Sequence, residues 1–150
     1  MDLDYRHEAL AMFLGHWTAR GTSYGGTDQS GDDPKANGEP WLSTHEGYWH
    51  TGGFFLVQDE RADIQGSRFD TLSIMGVEED GSYSARCVEN HGFYRHYRVE
   101  CDGDLWTLSG DLERATIRFT DEARTQVISW EWKQDGAWLP LCDRVAVKVD

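Results

Sequence analysis

The sequence predicts an all-β protein: a closed, antiparallel, up-and-down β-barrel of about ten strands with one short N-terminal helix. Three observations predict it. Apolar and polar residues alternate with a period of two over most of the chain, as in strands buried on one face. Asp-Gly pairs, which favour tight hairpin turns, separate the alternating segments at residues 80, 102 and 135. Seven Trp, six Tyr and six Phe add residue types that favour strands.

The composition limits the possible functions. The 150 residues fit one domain, residues 1–150, that is large enough to build a hydrophobic core. Lys and Arg number 14 against 27 Asp and Glu, a net charge of −13. This balance disfavours nucleic acid and anionic membrane surfaces as partners. No apolar run is long enough to span a bilayer, so no membrane-spanning segment is expected.

The N-terminus and the cysteines indicate a cytoplasmic protein. The first residues are acidic and lack the basic region and cleavage site of a signal peptide. Cys87, Cys101 and Cys142 are odd in number, widely spaced and form no Cys-x-x-Cys pair. This pattern is typical of reduced thiols in the cytoplasm.

The first predicted element is a short helix within residues 5–14. Ala9, Leu10, Phe13 and Leu14 share one face at helical spacing, and Gly15 ends the helix. From Trp17 onward the pattern is strand, turn, strand. A polar loop over residues 25–40 interrupts it, and its length predicts that it is functional or mobile.

The central hairpins share one alternation pattern. A two-residue turn at Asp80-Gly81 and a three-residue loop at residues 90–92 place Cys87 opposite both Ile74 and Arg95. The turn at Asp102-Gly103 continues the same phase. The predicted inner face collects Leu72, Ile74, Tyr83, Ala85, Cys87, Phe93, Tyr97, Val99, Trp106 and Leu108. The predicted outer face holds Ser73, Ser84, Arg86, Tyr94, His96, Arg98, Thr107 and Ser109, together with the apolar Met75, Val77, Leu105 and Trp138.

The last hairpin turns at Asp135-Gly136. There the alternation predicts one shared face for Ile128, Trp130, Trp132, Leu139, Leu141 and Val145. With residues 115–120, the count from Trp17 reaches about ten strands. An antiparallel sheet of this size closes on itself because closure removes its edges. Such a barrel leaves an interior that can hold one small ligand.

Five motifs carry a resemblance to a known family. They are LGHW at residues 14–17, WHTGGFFLV at 49–57, GVEEDGSYSARCVENHG at 76–92, CDGDLWTLSG at 101–110 and SWEWKQDGAW at 129–138. In this order they resemble a widespread bacterial family of lipocalin-like (calycin) barrels of unknown function, over about residues 14–149. The resemblance implies a lipocalin- or fatty-acid-binding-protein-like barrel with a central cavity, and no particular reaction.

The resemblance also implies a contact for the Trp of the first motif. In lipocalins that Trp packs under an Arg from the last strand, and Arg144 is the candidate here. Alternation places Arg144 on the outer face unless Pro140 introduces a bulge.

The inward aromatic residues are the main functional prediction. We predict a ligand-binding lumen lined by Trp49, Phe55, Ile74, Tyr83, Cys87, Phe93, Arg95, Tyr97, Trp106, Trp130 and Trp132. Ordinary core packing is the alternative interpretation of the same aromatics. Glu89 and Arg95 fall on the inner face near the 90–92 loop, as a rim salt bridge or as a pair that orients a polar group of the ligand.

Other clusters are disfavoured as sites. The mixed stretch Arg86–Val99 divides between two faces, which separates Cys87 from His96. Residues 21–25 match Gly-x-Ser-x-Gly but precede a loop, whereas a nucleophile elbow needs a helix there. Glu46 and His50 share one strand face and His45 does not, so no metal site is predicted.

Three functional hypotheses and one haem-binding alternative follow. The first is a protein that binds a small hydrophobic or aromatic molecule in the lumen. The second is an enzyme of the cyclase or isomerase type acting on an enclosed substrate, with Tyr83, Cys87, Glu89 and Arg95 as unranked acid or base candidates. A haem-binding barrel, as in haem-carrying members of the wider calycin group, is a further alternative. It is disfavoured because no His is predicted on the inner face, so no cofactor is expected. The third hypothesis is a filled barrel that forms a homodimer through the apolar outer face.

Overall fold

The computed structural model describes residues 1–26 and 28–149. Its described part contains an α-helix, a 3₁₀ helix and ten strands. The helices are α1 (Tyr5–Ala9) and a 3₁₀ turn (Leu10–Phe13). The strands are β1 (Gly15–Ser23), β2 (Glu39–His50), β3 (Phe55–Ile64), β4 (Ser67–Val77), β5 (Tyr83–Glu89), β6 (Tyr94–Asp102), β7 (Leu105–Ser109), β8 (Glu113–Thr120), β9 (Thr125–Gln134) and β10 (Ala137–Lys148).

Each strand pairs antiparallel with its neighbours in the chain, and β1 also pairs with β10. The sheet therefore closes into an up-and-down barrel, which confirms the predicted fold class. Burial alternates along the strands as expected for a wall with one inner and one outer face. Within the described residues, no helix has both the length and the apolar character needed to cross a membrane.

The two N-terminal helices close one end of the barrel. The Asp4 side chain caps α1 by accepting a hydrogen bond from the Arg6 amide at 2.9 Å. Leu10 and Phe13 are fully buried, and the Phe13 ring packs edge-on against Trp106 and Phe119 at 5.1 and 5.0 Å between centroids. We call this packed group of α1, the 3₁₀ turn and the residues beneath them the plug; the opposite end of the barrel is the mouth.

A glycine lets the plug approach the wall closely. A Cβ on Gly47 of β2 would lie 2.0 Å from the Phe13 carbonyl oxygen. The 3₁₀ turn can therefore cross β2 at this position only because no side chain is there.

The loop at residues 90–92 forms as predicted. Cys87 pairs with Arg95, and the Glu89 amide bonds to the Phe93 carbonyl at 3.1 Å. Gly92 has φ of 91°, the left-handed conformation that such a loop needs. Cys87 and Arg95 accordingly share the inner face.

The predicted turn at Asp80-Gly81 is wrong. The loop spans five residues, with the Glu78 amide bonded to the Ser82 carbonyl at 2.7 Å and Val77 paired with Tyr83. The two-residue turn would shift this pairing by one residue, and a one-residue shift exchanges the faces of a strand. Leu72 and Ile74 therefore lie on the outer face, and Ile74 is 40% exposed.

The same shift turns other residues of β4 inward. Ser73 and Met75 are buried, and Val77 is half-buried opposite Tyr83. The expected outer-face positions of Ser73, Met75 and Val77 are thus wrong. Trp138 does lie on the outer face, where the Arg114 guanidinium covers its ring at 4.2 Å.

The next turn is displaced without changing faces. Asp102 pairs with Leu105, so Gly103 and Asp104 form the two-residue loop, and Val99 pairs with Leu108 rather than Trp106. The displacement is two residues, so Trp106 and Leu108 remain on the inner face as predicted.

The final hairpin has the predicted turn and an added bulge. Gln134 pairs with Ala137 around Asp135-Gly136, but the register shifts between Pro140 and Cys142. One extra residue, Leu141, reverses the alternation that follows it. Cys142 and Arg144 point inward, whereas Val145, expected inside, is exposed on the outer face.

Candidate ligand site in the barrel lumen

A cavity of about 470 Å³ occupies the barrel between the plug and the mouth. Its wall is largely apolar, and it extends to the mouth, where His91 and Phe93 are exposed. The volume lies within the range typical of small-molecule sites, about 300–1,000 Å³. The barrel therefore contains more interior space than its own side chains fill.

Aromatic rings form much of the wall of this cavity. The Trp41 and Phe69 rings pack together at 5.9 Å between centroids, and the Tyr97 and Trp130 rings meet edge-on at 5.4 Å. Trp132 lines the cavity nearer the mouth. Flat aromatic faces of this kind bind planar or hydrocarbon groups of a ligand.

One wall carries a buried polar group that we call the histidine cluster: Trp41, Ser43, His45, Glu60 and Arg144. Arg144 Nη2 lies 3.4 Å from Glu60 Oε1, and His45 Nδ1 lies 3.8 Å from Glu60 Oε2. Ser43 donates to Glu60 at 3.3 Å and accepts from Trp41 Nε1 at 2.9 Å. The Arg144 guanidinium also covers the Trp41 ring at 4.5 Å.

His45 is held as a neutral imidazole. Burial lowers the pKa of His45 to about 4, although the charge of Glu60 acts in the opposite direction. The ring stacks on Trp17 at 5.9 Å, and within the described residues neither ring nitrogen has a hydrogen-bond partner. A buried polar group without a partner is unfavourable, so His45 has hydrogen-bonding capacity that a ligand or water can use.

The opposite wall carries the tyrosine cluster: Cys87, Arg95, Tyr97 and Glu113. The Tyr97 hydroxyl donates to Glu113 Oε2 at 2.8 Å, and Arg95 Nε lies 3.5 Å from Glu113 Oε1. Burial, reinforced by the charges of Glu113 and Glu60, raises the pKa of Cys87 to about 12. Burial and Glu113 also raise the pKa of Tyr97 well above its usual value.

These pKa shifts concern the enzyme hypothesis, which needs a general acid or base in the lumen. A general acid or base works best with a pKa near the operating pH. His45, Cys87 and Tyr97 all have pKa values moved away from neutrality, and burial likewise raises the pKa of Tyr83. At neutral pH these four side chains act as uncharged hydrogen-bonding groups.

The mouth is partly covered by the long loop before β2. Gln29 Nε2 donates to the Pro140 carbonyl at 2.7 Å, and Trp132 Nε1 donates to Gln29 Oε1 at 2.7 Å. Lys35 forms an ion pair with Asp143 at 3.1 Å. These contacts attach the described part of the loop to β9 and β10 beside the cavity.

Six of the residues predicted for the lumen line the cavity: Cys87, Phe93, Arg95, Tyr97, Trp130 and Trp132. Their role in binding a ligand stays a prediction. The other five, Trp49, Phe55, Ile74, Tyr83 and Trp106, lie elsewhere. Trp106 is buried against the plug, the Tyr83 hydroxyl donates to the Arg6 carbonyl at 2.8 Å, and Trp49 packs on the same core. Phe55 and Ile74 are exposed.

Sequence reasoning missed the histidine cluster. The expectation that no His lies on the inner face is wrong, because β2 points His45 inward and Glu46 outward. Arg144 was missed because the bulge at Leu141 could not be located from alternation, although Pro140 was a signal for it. The contact expected between Arg144 and Trp17 is also wrong: Arg144 covers Trp41, and Lys148 approaches the Trp17 ring at 5.8 Å.

The structure also bears on the Gly-x-Ser-x-Gly match and on metal binding. Residues 21–25 lead from β1 into irregular backbone, not into a helix. In the described part of the chain, no group of three or more His, Cys, Asp or Glu side chains could hold a metal ion.

Comparison with solved structures gives the fold. A zebrafish ileal bile acid-binding protein, complexed with cholic acid, aligns with a TM-score of 0.59 at 12% identity, covering 92% of this chain and 99% of its own. The siderocalin Ex-FABP, described as functioning through dual ligand specificities, aligns with a TM-score of 0.36 at 12% identity, covering 92% and 71%. No protein-family model and no curated protein matches the chain.

The structure is thus a closed ten-stranded barrel with the fold of the bile acid-binding protein. The resemblance predicted this fold correctly.

Proposed function

We propose that this protein binds one small, largely apolar molecule with a few polar atoms inside its barrel. The observation that carries the proposal is the cavity of about 470 Å³, with aromatic walls and buried polar groups on two sides. Packing alone would close such a space, because protein interiors contain few voids larger than a water molecule. The complex of the bile acid-binding protein with cholic acid supports the choice of a small amphipathic ligand.

The proposed contacts divide by chemistry. Trp41, Phe69, Trp130 and Trp132 supply flat apolar surface. The histidine and tyrosine clusters supply hydrogen bonds at two separate places on the wall. This arrangement supports a ligand with apolar surface between two polar points.

We include a reducing cellular compartment in the same proposal. Cys87, Cys101 and Cys142 are free thiols, which supports a reducing environment such as the cytoplasm.

The haem alternative fits the lumen in one respect and fails in another. His45 offers the neutral imidazole that an iron ion takes as a ligand. Haem also carries two carboxylates, and the two lumen arginines, Arg95 and Arg144, already face Glu113 and Glu60. The residues present do not fit the group.

The experiment is native mass spectrometry of the protein from its own host, followed by titration with N-phenyl-1-naphthylamine, an uncharged fluorescent probe. The Cys87→Phe variant fills the lumen, and Val88→Phe places the same ring on the outer face of the same strand. We expect the lumen variant to lose at least tenfold in affinity and the outer variant less than twofold.

Equal loss in both variants, or no binding of the probe to the unmodified protein, would overturn the proposal. If Cys87→Phe does not fold, judged by circular dichroism, Ser73→Leu fills the same place from β4, where Ser73 pairs with Cys87.

A further inference from the structure

The charges of the lumen are already balanced by the protein itself. Arg144 faces Glu60 at 3.4 Å in the histidine cluster, and Arg95 faces Glu113 at 3.5 Å in the tyrosine cluster. Among the described residues that line the cavity, these are the two arginines, and no lysine is present. Each guanidinium therefore has a carboxylate partner before any ligand enters.

The remaining titratable groups add no positive charge inside. Burial lowers the pKa of His45 to about 4, so its ring is neutral at pH 7. Glu89 adds a third carboxylate near the mouth. Its side chain accepts hydrogen bonds from the backbone amides of His91 and Phe93, each at 3.0 Å. His91 pairs with the same carboxylate and is half exposed. The lumen as a whole is neutral or slightly negative.

This balance makes a free carboxylate a poor ligand. A buried anion needs a charged partner or several hydrogen bonds to offset the loss of its hydration. Here it would compete with Glu60 or Glu113 for an arginine and repel the carboxylate that it displaced. A neutral molecule avoids both the loss of an anion's hydration and the repulsion by the displaced carboxylate.

Several buried polar atoms nevertheless lack a partner. Within the described residues, Nε of Arg144, both nitrogens of His45, Nε2 of Gln126 and Oγ1 of Thr71 make no hydrogen bond. All four side chains line the cavity, and Gln126 is only 1% exposed. Most of these atoms are donors, which match the oxygens of hydroxyl, carbonyl, ether or amide groups.

The donors lie on two sides of the lumen. His45, Arg144 and Gln126 come from β2, β10 and β9, whereas Thr71 comes from β4, which lies across the barrel from β9. A molecule that reaches both sides needs an acceptor toward each, with apolar or aromatic atoms between the walls of Trp41 and Trp130.

We propose that the lumen selects an uncharged molecule with hydrogen-bond acceptors at two separated points, and that it discriminates against free carboxylic acids. The inference rests on the proposed function and names its ligand class. It also separates this chain from the bile acid-binding protein of the same fold, which is complexed with an acid.

The test compares isosteric pairs that differ in charge. The probes are 2-naphthamide against 2-naphthoate and decanamide against decanoate, titrated into the full chain by isothermal calorimetry at pH 7. We expect each amide to bind at least tenfold more tightly than its carboxylate. Equal or tighter binding of the carboxylates would overturn the inference and leave the proposed function intact. Binding of neither member of either pair would overturn both.

A charge-freeing variant gives the second arm. Glu113→Gln releases Arg95 from its carboxylate, and we expect the affinity for 2-naphthoate to rise at least tenfold relative to that for 2-naphthamide. Glu131→Gln is the matched control, because Glu131 forms a similar pair with Arg114 at 2.8 Å on the outer face. If Glu113→Gln does not fold, Glu60→Gln releases Arg144 in the same way. No gain in carboxylate binding in a folded charge-freeing variant would contradict the inference.

Discussion

Trp132 donates a 2.7 Å hydrogen bond from its indole nitrogen to the side-chain carbonyl of Gln29, which lies 103 residues earlier in the chain. The same Gln29 side chain donates to the Pro140 carbonyl at 2.7 Å. One amide group thus connects the long loop to both strands of the last hairpin, directly beside the cavity. The Lys35–Asp143 ion pair and the bonds of the Tyr24 and Gly25 amides to the Leu141 carbonyl also attach the loop to β10.

We expect Gln29→Ala to loosen this loop without unfolding the barrel. The free energy of unfolding should fall by about 2 kcal/mol, because two partly buried hydrogen bonds of about 1 kcal/mol each are lost. Amides of residues 28–38 should exchange with deuterium at least tenfold faster, and exchange in β5 and β6 should not change. Gln134→Ala is the control, because the Gln134 amide bonds to the neighbouring Lys133 carbonyl on the surface. Unchanged exchange over residues 28–38 would show that Gln29 does not hold the loop.

The second prediction concerns stability and pH. Unfolded His45 takes up a proton near pH 6.5, and folded His45 does so only near pH 4, because burial lowers its pKa. Protonation between these values favours the unfolded chain. The contribution of neutral His45 is complete above pH 6.5 and is lost as the pH falls toward 4, by about 3 kcal/mol.

Urea denaturation at several pH values measures this effect. His45→Gln should lose less stability than the unmodified protein between pH 7 and pH 4, because carboxylate titration is common to both proteins and cancels. His96→Gln, at an exposed position on β6, should follow the unmodified protein. Parallel curves for the His45 variant and the unmodified protein would refute the assignment.

The plug should dominate stability, and the mouth should not. Phe13 is fully buried between Trp106 and Phe119, so Phe13→Ala should cost about 3–5 kcal/mol. Phe93 is 53% exposed at the mouth, so Phe93→Ala should cost less than about 1 kcal/mol. Thermal and urea unfolding of both variants measure the difference. Similar losses at the two positions would contradict the division into plug and mouth.

The cysteines should react in a defined order. Alkylation requires the thiolate, and burial with two nearby glutamates raises the pKa of Cys87 to about 12. Cys142 is buried, whereas Cys101 is partly exposed near the plug. Iodoacetamide at pH 8, read by peptide mass mapping, should modify Cys101 first, and all three should react together in urea. Faster modification of Cys87 in the folded protein would show that its thiol is not shielded.

The turns show what local sequence could predict and what it could not. The loop at residues 90–92 and the turn at Asp135-Gly136 formed as predicted, because Gly92 and Gly136 both adopt positive φ. The turn at Asp80-Gly81 did not, although Gly81 also has positive φ. A glycine in that conformation indicates a chain reversal but does not determine how many residues the loop contains. Here the loop has five residues instead of two, and the resulting one-residue shift in register exchanged the faces of Ile74 and Met75.

The candidate site shows the same limit. Cys87, Arg95 and Tyr97 were assigned to the lumen face because their hairpin pattern is local and unbroken. Arg144 was not, because its orientation depends on the extra residue at Leu141. His45 was not, because β2 has no short turn before it to set its phase.

The fold class, the direction of most strands and the aromatic character of the interior could all be predicted from local sequence patterns. Period-two alternation and turn residues act over a few positions and are readable without the rest of the chain. Which polar groups meet inside could not be predicted, because that depends on how distant strands are arranged in the folded barrel. Arg95 and Glu113 meet across β7, between strands that are not neighbours, and Glu60 on β3 reaches Arg144 on β10 because the barrel closes through the β1–β10 pairing. The physical reason is that closure brings inward side chains of distant strands into one buried space, where charges must be paired.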